Sequence, residues 1–336
     1  MATTALIGLL VVALLVFVGK SLWDWFTRLE GQAECKSSEL VLENPVSVQK
    51  APCPSIYGEA TKSLSIVIPA YNEAARLPAT LDETLVYLQR RRDRQGPHFT
   101  YEVIIVDDGS TDDTVRVAFD YVRKYGFDAV RVLRLPSNRG KGYAVKVGMM
   151  IARGELLLFM DADGATRVSD VERLEQDMHK LLTGTPDAPV AKTKLGAAGL
   201  AMSVGSRAHM EQQAIAKRTW ARNFLMHGFH FLVMFVAGGA VRDTQCGFKL
   251  FTRRAARTLF TNQRLQRWCF DVELIYLAKR LGIPIAETAV NWTEIPGSKI
   301  KITSMIHMAW ELVAILVGYF RLWHIRTEAE LTKTRS

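Results

Sequence analysis

The sequence predicts an α/β protein with a mostly parallel central sheet, tethered by an N-terminal transmembrane helix and carrying membrane-interface helices. Three observations lead there. Short β-branched runs alternate with stretches of helical period from residue 63 onward, those runs end on polar or acidic residues, and Met1 to Gly19 carry no charge. Strands alternating with helices are the pattern of a parallel sheet covered on both faces.

The uncharged run from Met1 to Gly19, at about 1.5 Å per residue, is just long enough to cross a hydrocarbon core about 30 Å thick. No Lys or Arg precedes it and no small-x-small site ends it, which distinguishes it from a cleavable signal peptide. Trp23, Trp25 and Phe26 then belong at the membrane interface, and Lys20 and Arg28 hold the rest of the chain in the cytosol. Residues 1–26 are read as anchor and interface. Residues 27–62, polar and punctuated by Pro45, Pro52 and Pro54, are read as a linker.

The main domain, residues 63–301, opens with the strand LSIVIPAYNE and the helical RLPATLDETLVYLQRRR. YEVIIVDDGSTDDT is a second buried strand with an acidic end, VRVAFDYVRKYG a second helix and AVRVLRLP a third strand. A helix from about Gly142 to Arg153 and the strand ELLLFM continue the alternation. Ligands of such sheets gather beyond the carboxyl ends of the strands. Tyr71, Asn72, Asp107, Asp108, Asp161 and Asp163 all fall there.

An Asp near a helix start is ordinarily an N-cap, and Asp112 is expected to be one. One cap does not explain acids at alternate positions, Asp161 and Asp163, after a buried strand. Such a pair suits a divalent cation held through oxygen, Mg²⁺ or Mn²⁺. The turn Asn138 to Gly142 is common turn chemistry, with Lys141 expected in solvent.

The formal charge of +9 suits an anionic partner: nucleic acid, acidic lipid or a phosphorylated substrate. No base-reading module and no basic stretch interleaved with aromatics is present, which argues against nucleic acid. Cys35, Cys53, Cys246 and Cys269 show neither zinc-site nor disulfide spacing, which fits a reducing compartment.

SIVIPAYNE, VIIVDDGSTDDT, NRGKG and MDADGAT resemble, in order and spacing, the nucleotide-binding half of the family 2 inverting glycosyltransferases. GSRAHME, RDTQCGFKLFTR and FDVELIYLAKRLGIPIAETAVNWTEIPGSK resemble its dolichyl-phosphate β-glucosyltransferase branch. The resemblance spans residues 64 to about 301 and departs at residues 183–200. It implies a Rossmann-like, nucleotide-sugar-binding glycosyltransferase type A fold, with a nucleotide-binding half at 63–170 and an acceptor half at 200–301. It also implies transfer of glucose from UDP-glucose to dolichyl phosphate at the cytosolic face of the endoplasmic reticulum membrane. The product, dolichyl β-D-glucosyl phosphate, is the lipid-linked glucose donor for N-glycan precursor assembly.

On that resemblance, Pro69, Ala70, Tyr71, Glu73, Asp107 and Asp108 take the base and ribose, while Asp161 and Asp163 hold the metal against the diphosphate. Arg207, Arg222 and Lys299 match positions that hold the acceptor phosphate, and Gln245, Asp271 and Glu273 shape the pocket. Mannosyl transfer from GDP-mannose and a non-catalytic, membrane-anchored nucleotide-sugar-binding protein are the competing readings. A processive synthase would carry QxxRW, and here Arg264 stands where that Gln belongs.

The apolar segment from Asn223 to Val241 is expected to lie against the bilayer. Residues 302–336 are read as an interfacial amphipathic helix and polar tail, with Ser304, His307 and Glu311 forming its polar stripe. NWT at Asn291 to Thr293 matches a glycosylation acceptor and is expected to stay bare on the cytosolic side.

Overall fold

The computed structural model describes residues 16, 20–21, 23–31, 40–47, 50–184, 199–208, 233–239, 241–295 and 302–333. Arg222, Lys299, most of the apolar run at 1–19 and most of the segments 183–200 and 223–241 lie outside the described residues.

The strands are β1 (Val41–Glu43), β2 (Lys50–Pro52), β3 (Lys62–Ala70), β4 (Tyr101–Asp107), β5 (Val130–Arg134), β6 (Gly154–Met160), β7 (Met202–Ser206), β8 (Phe248–Thr252) and β9 (Ile285–Ala289). The helices are α1 (Leu77–Gln95), α2 (Thr114–Tyr125), α3 (Lys141–Met150), α4 (Val171–Thr183), α5 (Arg253–Asn262), α6 (Phe270–Arg280), α7 (Ile302–Val317) and α8 (Glu328–Lys333). A helical stretch also covers residues 23–31.

Among the described residues the strands form one sheet in the order β2-β1-β5-β4-β3-β6-β8-β7-β9. Its centre, β5-β4-β3-β6, is parallel, as the alternation predicts. Beyond β6 the sheet turns mixed: β8 runs antiparallel to both β6 and β7, and β7 pairs parallel with β9. β3 and β4 bury nearly every residue because both sheet faces are covered. Their side chains alternate between two cores. Ile66, Ile68, Val103 and Ile105 pack with residues of α1, α2 and α4; Val67, Ile104, Val106 and Phe159 pack with residues of α3, α5, α6 and α7.

Three expectations are corrected. The segment 27–62 is not an unstructured linker, because β1 and β2 pair with each other and Leu42 pairs with Leu133 of β5 at the sheet edge. Three-residue strands held by backbone pairing leave no period for the sequence to display. Phe26 does not sit at a lipid interface: it is buried edge-on against Trp323, ring centroids 5.6 Å apart, while Trp23 remains 57% exposed. Glu311 is not on an outward polar stripe. It is buried and accepts the backbone N–H groups of Trp268 and Cys269 at 3.3 and 2.8 Å, at the start of α6.

The outward face of α7 and the turn after it carries Trp310, Val313, Val317 and Phe320, with His307 of the expected polar stripe exposed beside them. Among the described residues no helix is long and apolar enough to cross a membrane.

Candidate active site

Register brings the strand ends together: Ala70 of β3 stands opposite Asp107 of β4, and β6 ends beside them at Met160. Asp161 and Asp163 follow directly. The Asp161 N–H donates to Gly247 O at 3.2 Å, and a Cβ on Gly247 would lie 2.1 Å from Asp161 Oδ2. Glycine at 247 is therefore what lets the Asp161 carboxylate rest against the backbone leading into β8. Asp163 Oδ1 accepts the Ala165 N–H at 3.0 Å, turning the chain through Gly164 at φ +71°.

Lys141, which the sequence places in solvent, is paired with Asp161 at 2.6 Å, its ammonium 5.4 Å from the Phe159 ring centroid. Burial opposes its charge, but Asp161, Asp271 and Asp163 together raise its pKa. Arg76 is a second cation that sequence reasoning missed. Glu73 grips it through two bonds of 2.7 Å, and it lies in the field of Asp163 and Asp161. A basic residue immediately before α1 was the available signal, but helix spacing gave no hint that it faces the acids.

Among the described residues no three His, Cys, Asp or Glu side chains are arranged to hold a metal. Two partly exposed carboxylates at alternate positions do fit Mg²⁺ or Mn²⁺, since such ions are commonly bound through one or two carboxylates with substrate phosphates and water completing the shell.

The residues assigned to base and ribose divide into two kinds. Pro69 and Ala70 end β3 as buried backbone, Ala70 O accepting the Asp108 N–H at 2.8 Å. Tyr71 is exposed, and Asn72 has φ 52°, a left-handed backbone that Asn tolerates. Asn72 Oδ1 accepts the Thr111 N–H at 2.8 Å and its own N–H donates to Ser110 Oγ at 2.9 Å, locking the loops after β3 and β4 together.

Burial raises the pKa of both Asp107 and Asp108. Asp107 receives long bonds of 3.3 Å from the Ser110 N–H and is also bonded by the Ser110 side chain, whereas Asp108 receives the Arg139 and Gly140 N–H groups at 2.7 and 2.8 Å. Asp108 thus clamps the NRGKG turn. The N-cap of α2 is Asp113, not Asp112 as expected; Asp112, one residue earlier, accepts the Thr114 N–H at 3.0 Å and also holds the Ala74 N–H at 3.1 Å.

Across the cleft, Arg207 leaves β7 and is gripped by Asp243 through Nε at 2.7 Å, Nη2 at 2.9 Å and the backbone N–H at 2.9 Å. Its guanidinium also lies 5.4 Å from the Trp292 ring centroid. Burial opposes the Arg207 charge, but the contacts with Asp243 outweigh it and raise its pKa. Burial likewise pushes the Asp243 carboxyl up, and Arg207 pulls it below its usual value. Glu287 fixes Asp243 in turn, accepting the Arg242 and Asp243 N–H groups at 3.0 and 3.2 Å.

Gln245 is half-buried in the same segment. Asp271 pairs with the fully buried Lys249 at 2.5 Å. Glu273 accepts the Arg264 and Leu265 N–H groups at 2.8 Å each and the Tyr319 hydroxyl at 2.5 Å. Both its oxygens are committed to protein, so it acts on the pocket by holding residues 264 and 265. Asn291 Nδ2 donates to Asp170 Oδ1 at 2.9 Å, so its amide already has a structural partner.

Paired aspartates beyond the carboxyl end of a parallel sheet, with an arginine just past β7 held by a buried carboxylate, are the frame of a nucleotide-sugar transferase. The chain belongs to glycosyl transferase family 2, whose model matches residues 65–260. Several relatives within that family, at 40–50% identity, are named dolichyl-phosphate beta-glucosyltransferase. It is 50% identical over 272 residues to human dolichyl-phosphate beta-glucosyltransferase, covering 81% of this chain and 80% of that one. It is 48% identical over 285 residues to the Drosophila melanogaster protein of the same name, covering 84% and 83%. Among solved structures it resembles glucosyl-3-phosphoglycerate synthase from Mycobacterium tuberculosis in complex with Mg²⁺ and UDP. The TM-score there is 0.50 at 18% identity over 77% of this chain and 79% of that one, a likeness of fold.

Proposed function

We propose that this enzyme transfers glucose from UDP-glucose to dolichyl phosphate with inversion, giving dolichyl β-D-glucosyl phosphate. The observation that carries the reading is that Asp161 rests against Gly247, four residues beyond the Asp243 that grips Arg207, a candidate phosphate ligand. One cleft can then hold both a donor diphosphate and an acceptor phosphate. The names of the relatives support the glucosyl version over the mannosyl one.

In this reading the loops after β3 and β4 seat the uridine, with Asp107 able to accept the uracil imide N–H. A divalent cation on Asp161 and Asp163 would supply Lewis-acid neutralisation of the charge growing on the departing UDP. The acceptor needs no general base, because a phosphomonoester with a second pKa of about 6 is largely dianionic at neutral pH. Its oxygen attacks the anomeric carbon from the face opposite the leaving diphosphate. Arg207, with Arg222 and Lys299, holds it there against repulsion between the anions. Arg207 is already matched by Asp243, so a phosphate has to share the guanidinium with that carboxylate.

The membrane reading rests on the apolar run at 1–19 and on the exposed Trp23, Trp310, Val313, Val317 and Phe320, a surface suited to the bilayer that holds the lipid acceptor. The proposed location is the endoplasmic reticulum membrane with the catalytic domain in the cytosol. Protease treatment of intact microsomes tests it: the domain should be digested and Asn291 should carry no glycosidase-sensitive mass.

The activity test is incubation of membranes with labelled UDP-glucose and dolichyl phosphate, with unlabelled GDP-mannose as competitor. A labelled, mild-acid-labile glucolipid insensitive to GDP-mannose is expected. Labelled lipid that GDP-mannose abolishes would instead favour the mannosyl reading.

A further inference from the structure

Lys141 sits in an ion pair that is prearranged at both ends. Its flanking residues, Gly140 and Gly142, have no room for side chains: a Cβ would lie 2.6 Å from Gln266 O at the first and 2.8 Å from Phe270 Cβ at the second. Asp108 takes the Arg139 and Gly140 N–H groups, and the Gly142 N–H donates to Arg267 O at 3.1 Å. The start of α3 is therefore fixed from two sides. At the other end, Gly247 leaves the Asp161 carboxylate lying against the backbone. Between these fixed points Nζ meets Oδ1 at 2.6 Å.

We propose that Lys141 is an internal counter-cation that competes with the divalent metal for Asp161, so that the free enzyme holds metal weakly and takes it up together with the nucleotide diphosphate. The inference rests on the donor-site reading above. Asp161, Asp163 and Asp271 face Lys141, with Arg76 close to the first two and Lys249 paired to the third. A doubly charged cation arriving alone must displace Lys141 from Asp161 and leave that ammonium beside it, a repulsion that solvent screens only in part at this partly exposed pair. The same cation arriving with the diphosphate of UDP-glucose, two negative charges, or of UDP, about three at neutral pH, brings no net positive charge to the site. Metal and nucleotide then favour each other's binding, and the favour is reciprocal.

The test is a titration of the full-length, detergent-solubilised protein with Mn²⁺, following free Mn²⁺ by electron paramagnetic resonance, with and without UDP. Wild type should bind Mn²⁺ weakly alone and much more tightly with UDP. In Lys141→Met, Mn²⁺ alone should bind about tenfold tighter, and the enhancement by UDP should shrink by about the same factor. Lys141→Arg, which keeps the charge, should stay close to wild type. Unchanged or weaker binding of Mn²⁺ alone to a Lys141→Met protein with a normal unfolding transition overturns the proposal. If that variant does not fold, wild type decides alone: Mn²⁺ binding as tight without UDP as with it also overturns the proposal. A wild type that binds neither Mn²⁺ nor UDP would instead overturn the donor-site reading itself.

Discussion

Two clusters of acids and bases stand at opposite ends of the same parallel strands, and they are built to different ends. At the amino end, Glu102 of β4 is fully buried. It accepts the Ser65 hydroxyl at 2.6 Å, the Arg153 backbone N–H at 2.6 Å and Arg153 Nε at 2.7 Å, and is paired with Arg131. Both oxygens are taken by groups from β3, β5 and the approach to β6. At the carboxyl end Asp161 keeps a third of its side chain exposed, and Lys141 is its ion-pair partner. The closed cluster fastens strands. The open one leaves charge where a ligand can reach it, and the difference lies in access, not in residue type.

The largest effect should come from opening the closed cluster. Glu102→Ala leaves Arg131 buried without its carboxylate and should cost about 3–5 kcal/mol of stability. Urea unfolding measures it, while UDP affinity per folded molecule should not change. A loss of UDP affinity in the folded fraction would mean that the two ends are coupled.

Next is Asp163→Asn, which should leave the unfolding midpoint nearly unchanged and lower turnover by roughly 10²- to 10³-fold, several kcal/mol of lost charge stabilisation. Initial rates of lipid glucosylation read it. Retained turnover would show that the open cluster is not the metal site.

Arg207→Ala should weaken dolichyl-phosphate use by about 1.5–3 kcal/mol, the scale of one charge-assisted contact, with UDP binding intact. Separate KM measurements for donor and acceptor distinguish the two sides of the cleft.

The smallest effect concerns acid. Arg207 holds the folded-state pKa of Asp243 below its ordinary value of about 3.9. The stability this gives is fully present above that ordinary value and is lost as pH falls through the lower, folded value. Asp243→Asn should therefore be less stable than wild type at neutral pH and lose less on acidification below about pH 4. Thermal unfolding at a series of pH values checks it.

The donor half was legible because its chemistry is contiguous: a buried run ends, and acids follow within three residues, as at Asp107 and Asp161. The strands from β3 to β6 were legible for a related reason, each carrying a short run rich in Val, Ile or Leu, although β5 interleaves Arg131 and Arg134. The acceptor half was not, because its charges are matched across long stretches of chain. Arg207 finds Asp243, Lys249 finds Asp271 and Glu311 finds the N–H groups of Trp268 and Cys269, and no spacing in the sequence announces these pairs. Glu311 misled because a carboxylate on an apolar helix reads as an outward group, whereas here the apolar side faces outward and the acid caps α6. Lys141 misled because a glycine-flanked lysine is ordinary turn material until the strand beside it is known.

Gly247 bears on how sequence variants of this enzyme should be read. Replacing it with alanine adds one methyl group, changes no charge and barely alters hydropathy, so a substitution score would rate it mild. That methyl would have to occupy space within 2.1 Å of Asp161 Oδ2, and the carboxylate would be pushed off its seat. A Gly247→Ala enzyme should therefore accumulate as protein yet lose turnover, and an immunoblot alone would miss the defect.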